Sequence, residues 1–348
     1  MKIQNIISEI NELAGEFDEL KFMEVCGTHT QTIARCGIRQ ILPKNIKLIS
    51  GPGCPVCVTS QYDIDAVIEL ALNGIHIATY GDMLRVPGTN TSLEHVRAKG
   101  ANVSVVYSVE DCFKFKNLGN ENDNFVFFAI GFETTAPMTA YALKKNLAVY
   151  SVHKMVVPAM EALLKTGEIK IDGFINPGHV SVITGTKDYK KLKVPQVITG
   201  FEGIDVLAAI LMLLRQLKEG ICEVENEYVR AVKDDGNLLA KNLINEMFKV
   251  SDSEWRGLGV IKNSGLEVKD AHLNARIKFK EILKNVPEPK DNKICKCGEI
   301  IRGLIEPYEC PLFGKACNPD NPIGPCMVSG EGTCAIYFKF KNLEGKFR

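Results

Sequence analysis

The 348-residue chain is 45% hydrophobic and carries 42 basic and 42 acidic side chains, for a formal net charge of zero and a pI near 7. That apolar content excludes wholesale disorder, and the length exceeds the ~250 residues a single core usually fills, so more than one packed unit is expected. The charge balance argues against a nucleic-acid or other general polyanion binder, which needs a surplus of Lys and Arg.

In residues 1–20 apolar side chains recur at helical spacing between acidic ones, which predicts a helix. With no continuous apolar segment and no small-residue cleavage site, this stretch does not read as a signal peptide. The most apolar stretch, 204–214, contains Asp205 and is far shorter than the ~20 residues that span a bilayer. A cytoplasmic chain without a membrane partner is expected.

From residue 21 to 117 short β-rich runs alternate with helical stretches. Strands are predicted at 21–25, 46–50, 76–79 and 103–107, and helices at 30–37, 60–73 and 92–99. This alternation predicts a parallel sheet with crossover helices. After the polar loop 117–124 a second α/β unit, 118–221, is expected. Its strands are predicted at 125–130, 151–157, 173–175 and 196–199, with helices running through Leu143 and over 204–217. The sequence Gly-Phe-Glu follows a strand twice, at Gly131 and Gly200, as a candidate structural echo. Beyond residue 222 helical patterns are read at 237–249 and 271–284. The segment 287–332 is then rich in Pro, Gly and Cys and has few long apolar runs, so a metal or cluster is the natural staple for it. The fold class expected is α/β: two doubly wound units plus a helical, Cys-rich domain over 222–348, with helix 1–20 packed on it.

Twelve cysteines stand out, six of them between Cys295 and Cys334. Cytosolic thiols stay reduced, so metal binding and thiol redox chemistry are the leading explanations. Cys26 begins Cys-Gly-Thr-His at the end of a strand run and the start of a helix. There the helix dipole favours a thiolate, and His29 can ligate a metal or accept a proton. Cys54 and Cys57 form a C-x-x-C after another strand, the setting of a redox dithiol or of half a metal site. Cys310, Cys317, Cys326 and Cys334 are spaced C-x6-C-x8-C-x7-C among turn-forming residues. Four thiolates suit a [4Fe–4S] cluster, whereas a four-cysteine zinc site usually brings two short knuckles. Cys295 and Cys297 are a further pair, either alternative ligands or a redox couple. Glu133, Thr134 and His179 are candidate cleft residues, while Cys36, Cys112 and Cys222 read as packing residues. No phosphate loop and no dinucleotide fingerprint are present.

The motifs Phe22-Met-Glu-Val-Cys-Gly-Thr-His29, Gly51-Pro-Gly-Cys-Pro-Val-Cys57, Gly131-Phe-Glu-Thr-Thr135, Asn176-Pro-Gly-His179 and Gly324-Pro-Cys-Met-Val-Ser329 with Glu331-Gly332 run in order along nearly the whole chain. As a set they resemble the HypD family of hydrogenase maturation factors. The resemblance implies a scaffold for the Fe(CN)2CO unit of [NiFe]-hydrogenase. It implies a small HypC-type partner, with cyanide arriving from HypE and HypF. Cys26 would ligate that iron with His29 beside it, Cys54 and Cys57 would be the redox dithiol at the same cleft, and Cys310, Cys317, Cys326 and Cys334 would hold the [4Fe–4S] cluster. An iron–sulfur thiol–disulfide oxidoreductase is the alternative from another class. A third reading is a binding module whose cluster is purely structural.

Overall fold

The structure, a computed structural model, describes residues 3–118, 124–290 and 293–340. Most of the predicted loop 117–124 and the last eight residues of the predicted 222–348 domain lie outside them. The strands are β1 (Leu20–Glu24), β2 (Ile46–Ser50), β3 (His76–Thr79), β4 (Val103–Val105), β5 (Phe125–Gly131), β6 (Val149–His153), β7 (Gly173–Pro177), β8 (Gln196–Thr199), β9 (Val224–Asn226), β10 (Phe248–Trp255) and β11 (Gly259–Val268). They form a five-stranded sheet in the order β2-β1-β7-β8-β9, a four-stranded sheet in the order β4-β3-β5-β6, and a hairpin of β10 and β11. Both larger sheets are parallel throughout, as the strand–helix alternation predicts.

Burial on both faces explains the composition of these strands. All seven residues of β5 are buried, as expected of a strand with neighbours on either side and layers above and below. Alternate residues feed different cores. Phe22 of β1 packs with Ile33, Ile175 and Leu207, whereas Met23 joins Phe174 and Ile198 in a central core shared with the Cys-rich segment. In β5, Val126, Phe128 and Ile130 point to that same central core, and Phe127 and Ala129 point away to a third.

Several expectations are corrected. The sheets do not follow the contiguous units 21–117 and 118–221. β1 and β2 share a sheet with strands beyond residue 172 through the β1–β7 pairing, and β3 and β4 share one with β5 and β6 through the β3–β5 pairing. Local patterning identifies a strand but carries no information on its partner. Helix α1 (Ile3–Ala14) packs on the helix Gly203–Glu219, not on the Cys-rich segment. Its stripe of Ile6, Ile10 and Leu13 meets Leu207, Ile210 and Leu214, and Glu9 pairs with Arg215 at 2.6 Å. The strand predicted at 151–157 stops at His153, and a helix, Val156–Thr166, takes over. The helical reading of 237–249 holds for Leu238–Met247 and that of 271–284 for the short helices Ala275–Lys278 and Lys280–Leu283, while the hairpin between them was not read. Most of β10 is polar and only its ends, Phe248 and Trp255, are buried, which leaves little β-signal. Among the described residues no helix is long and apolar enough to cross a membrane.

Ile10 is 1% exposed beneath the α1 contact. Ile10→Ala is expected to cost about 2–5 kcal/mol of stability by opening a cavity there, measured by urea unfolding.

Candidate functional site

Each winding of a parallel sheet reverses at a switch point, where the loops leaving two neighbouring strands diverge and open a crevice at their carboxyl ends. In the five-stranded sheet this point lies between β1 and β7, in the four-stranded sheet between β3 and β5. The two switch points face one another across a cavity of about 270 Å³. Val25, Cys26 and Thr28 line it from the end of β1, Pro177 and His179 from β7, Tyr80 from β3, and Gly131, Phe132, Thr134 and Thr135 from β5. Gly53 and Pro55, from the loop after β2, and Glu331 complete the wall. The structure thus brings Cys26, Thr134 and His179 together from three different strand ends.

Cys26 is the N-cap of helix α2 (Gly27–Arg35). Its own N–H donates to Glu24 Oε2 at 3.1 Å, and Thr30 Oγ1 donates to the other oxygen of that carboxyl. The helix terminus does not make Cys26 an easy thiolate. Burial pushes its thiol up to about 12, and the backbone N–H groups of His29 and Thr28 oppose this only in part. The nearby carboxyls of Glu331 and Glu24 add to the rise. Burial also lifts Glu24 to about 7 and raises Glu331. Among the described residues no Lys or Arg lines the cavity to offset a negative charge.

His29 lies one helical turn from Cys26 but is turned away from the cavity. Its ring is fully buried, its Nε2–H donates to the carbonyl of Gly200 at 2.9 Å, and Nδ1 has no partner among the described residues. Burial lowers its pKa to about 4, so it stays neutral. It stacks on Phe201 at 4.9 Å between ring centroids, and His179 stacks on Phe201 at 3.7 Å. Phe201 and Glu331 belong to motifs read in the sequence but were given no site role there. The Gly200-Phe-Glu echo marks the first, and its position matches Phe132 after β5, which stacks on Trp255 instead. Glu133 faces inward, away from the cavity. Its Oε1 accepts the Val156 N–H at 3.1 Å, Oε2 has no partner among the described residues, and burial lifts its pKa to about 7.

The loop after β2 is locked to Cys26. Gly27 N–H donates to Gly53 O at 3.2 Å, and a Cβ on Gly53 would overlap the Cys26 backbone, so only glycine fits. Cys54 and Cys57 are joined as a disulfide and are 5% and 1% exposed. The short helix they bracket, Pro55–Val58, touches the helices Cys297–Ile301 and Pro325–Val328. Behind them Cys295, Cys297, Cys310, Cys317, Cys326 and Cys334 all line one small, largely apolar enclosure with Ile300, Phe313 and Met327. The thiols of Cys295 and Cys297, of Cys297 and Cys326, and of Cys326 and Cys334 are near enough to shift one another's ionisation, and with burial they hold Cys297 and Cys326 well above the usual thiol range. The four cysteines singled out by spacing are therefore joined by the Cys295–Cys297 pair. Among the described residues no three His, Cys, Asp or Glu side chains stand grouped to hold a metal ion. The six converging soft donors nonetheless have the chemistry of an iron–sulfur ligand set.

Iodoacetamide should leave Cys26 largely unmodified at pH 8 while the exposed Cys36 and Cys222 react. Its alkylation should rise about tenfold per pH unit toward a pKa of about 12, followed by peptide mass spectrometry.

The profile of the family described as "HypD: Hydrogenase formation hypA family" matches residues 1–341. A protein of Methanocaldococcus jannaschii named as a putative hydrogenase expression/formation protein is 47% identical over 98% of both chains. The hydrogenase maturation factors HypD of Rhizobium leguminosarum and Escherichia coli are 42% and 38% identical, each over 99% of this chain and over 94% and 97% of their own. With its motif loops gathered on one cavity and a match of this extent, the chain belongs to the HypD family of hydrogenase maturation factors.

Proposed function

We propose that this chain is the scaffold on which the iron of [NiFe]-hydrogenase acquires its cyanide and CO ligands, with the Cys26 cavity as the assembly site. The observation that carries the reading is the position of the Cys54–Cys57 turn, whose flanking residues line the cavity while its helix touches the six-thiol enclosure. Iron is the substrate here. Cys26 is buried among carboxyls without a lysine or arginine, so its thiolate needs a cationic partner, and Fe(II) with strong-field ligands is served by a soft thiolate. His29, neutral and tied to Gly200, stands behind Cys26. Thr134 and His179 face the cavity as hydrogen-bond groups for small polar ligands, and Glu133 supports the wall.

Cyanide delivered at the thiocyanate level needs two electrons to leave its sulfur: the C–S bond breaks, the sulfur takes a proton, and cyanide departs. The dithiol form of Cys54 and Cys57 supplies two electrons and two protons and closes to the disulfide present in this structure. In the enclosure, Cys310, Cys317, Cys326 and Cys334 would hold a [4Fe–4S] cluster, with Cys295 and Cys297 near enough to exchange roles. Such a cluster would supply single electrons to the Cys54–Cys57 disulfide and so return it to the dithiol. A small HypC-type partner would share the iron, and HypE with HypF would deliver cyanide.

Infrared spectra of the anaerobically purified complex with the small partner should show cyanide and CO stretching bands, lost in Cys26→Ala. Cys54→Ala and Cys57→Ala should each block cyanide attachment while leaving cluster absorption intact. A complex that keeps its cluster and partner but lacks the bands would instead favour a thiol–disulfide oxidoreductase. Serine replacement at each of the six enclosure cysteines, read by iron and sulfide content, should identify four positions that abolish the cluster and two that do not. Retention in all six variants would remove it from the enclosure.

A further inference from the structure

The turn of the β10–β11 hairpin docks on the chain immediately after Cys57. Trp255 forms an isolated antiparallel bridge with Thr59, and the Arg256 N–H donates to the Val58 carbonyl at 2.9 Å. The Arg256 side chain continues along the same segment, with Nε donating to the Thr59 carbonyl and Nη2 to Gln61 Oε1, both at 3.0 Å. One residue therefore holds positions 58, 59 and 61. The hairpin is itself fixed at this end. Trp255 is buried, its Nε1–H donates to Ser264 Oγ at 2.8 Å, and its ring stacks on Phe132, which lines the Cys26 cavity. Gly257, at φ +78°, lies so close to the helix Cys297–Ile301 that a Cβ there would stand 2.6 Å from the Gly298 Cα.

The disulfide sits in a segment that needs such support. Pro55–Val58 is a single helical turn, and a turn of that length has little stability of its own. Its internal bonds are few: the Val58 N–H donates to the Cys54 carbonyl at 3.2 Å, and the Thr59 hydroxyl to the Pro55 carbonyl at 2.8 Å. With the sulfurs joined, the covalent bond keeps the turn closed. As two thiols they stay opposed only while the backbone on either side is held. The Gly27 N–H bond to the Gly53 carbonyl provides that hold before Cys54, and Arg256 provides it after Cys57.

We infer that Arg256 is a positioning residue for the Cys54–Cys57 couple, its fork of donors keeping the reduced turn in the geometry of the disulfide and so making the dithiol a stronger reductant. Closure breaks two S–H bonds, forms one S–S bond and releases two electrons and two protons. A turn already held in place loses less conformational freedom in that step, which favours the oxidised side. A lysine at this position keeps the charge but not the rigid planar fork that meets both acceptors. The inference rests on the proposed function only for what receives the electrons. Its test needs neither iron nor cyanide, so the two fail separately.

The test equilibrates the full-length, anaerobically purified protein with mixtures of reduced and oxidised dithiothreitol, which exchange two electrons and two protons with the pair. Acid quenching, alkylation in denaturant and peptide mass spectrometry then give the fraction of Cys54 and Cys57 joined. Arg256→Ala should lower the equilibrium constant for disulfide formation about tenfold, which is about 30 mV toward a weaker reductant. Arg256→Lys should lower it by a similar factor. Gln61→Met, which removes the Nη2 acceptor and leaves Arg256 in place, should lower it about threefold. Fluorescence of Trp255, the one tryptophan of the chain, should remain that of a buried indole in each variant, which separates repositioning from an undocked hairpin. A wild-type equilibrium in Arg256→Ala with Trp255 still buried would overturn the inference. So would a wild-type equilibrium in Arg256→Lys, since charge and not the fork would then be responsible. If Arg256→Ala undocks the hairpin, Gln61→Met decides, and an unchanged equilibrium there overturns the inference.

Discussion

The site depends on the parallel pairing of β1 with β7, in register from Phe22 opposite Gly173 to Glu24 opposite Ile175. That pairing joins residues about 150 positions apart. It also creates the point at which the sheet's winding reverses, since β2 lies on one side of the pair and β8 and β9 on the other. Cys26 and His179 leave adjacent strands at the same end because the strands are parallel. The same reversal between β3 and β5 supplies the opposite wall, and the central core holding Met23, Phe128 and Ile198 fixes the two sheets against each other.

Electrostatics in the cavity are governed by burial. A helix N-terminus favours a negative charge by about 0.3–1 kcal/mol when exposed. The shift of the Cys26 thiol from 9.0 to about 12 corresponds to roughly 4 kcal/mol against the anion, so desolvation wins. Glu24 and Glu133 are lifted to about 7, and His29 and His153 are lowered to about 4, for the same reason. At these groups the interior favours the neutral form, and a charge that enters must bring its own counter-charge, as Arg276 does for buried Asp63. A divalent metal meeting a thiol that loses its proton on binding satisfies that condition.

The Cys-rich segment shows how a stretch with few apolar runs becomes buried. Its six thiols converge with Ile300, Phe313 and Met327, and the segment reaches over the site through Glu331, which accepts a hydrogen bond from Thr28 at 3.4 Å. A Cβ on Gly27 would overlap Glu331, so the approach of the two segments depends on glycine. The segment thereby joins the thiol enclosure to the Cys26 loop, with the Cys54–Cys57 helix between them.

Much of this was legible in the residues. The apolar runs at β5 and β8, the helix-starting turn at Cys26, the C-x-x-C after β2 and the crowding of six cysteines into forty residues each follow from local chemistry, and the ordered motifs identify the family. Strand partners were not legible, because hydrophobic patterning specifies which residues are buried but not against what. Nor was the ionisation of Cys26, since the helix terminus is a local feature while desolvation is imposed by side chains from distant segments. The orientation of His29 belongs with these. Its spacing from Cys26 suggested a shared ligand, but the Gly200 carbonyl and the Phe201 ring, some 170 residues away, turn it elsewhere. The sequence holds the reactive groups and the turns that present them; chain packing sets their neighbours, and those neighbours set their charge.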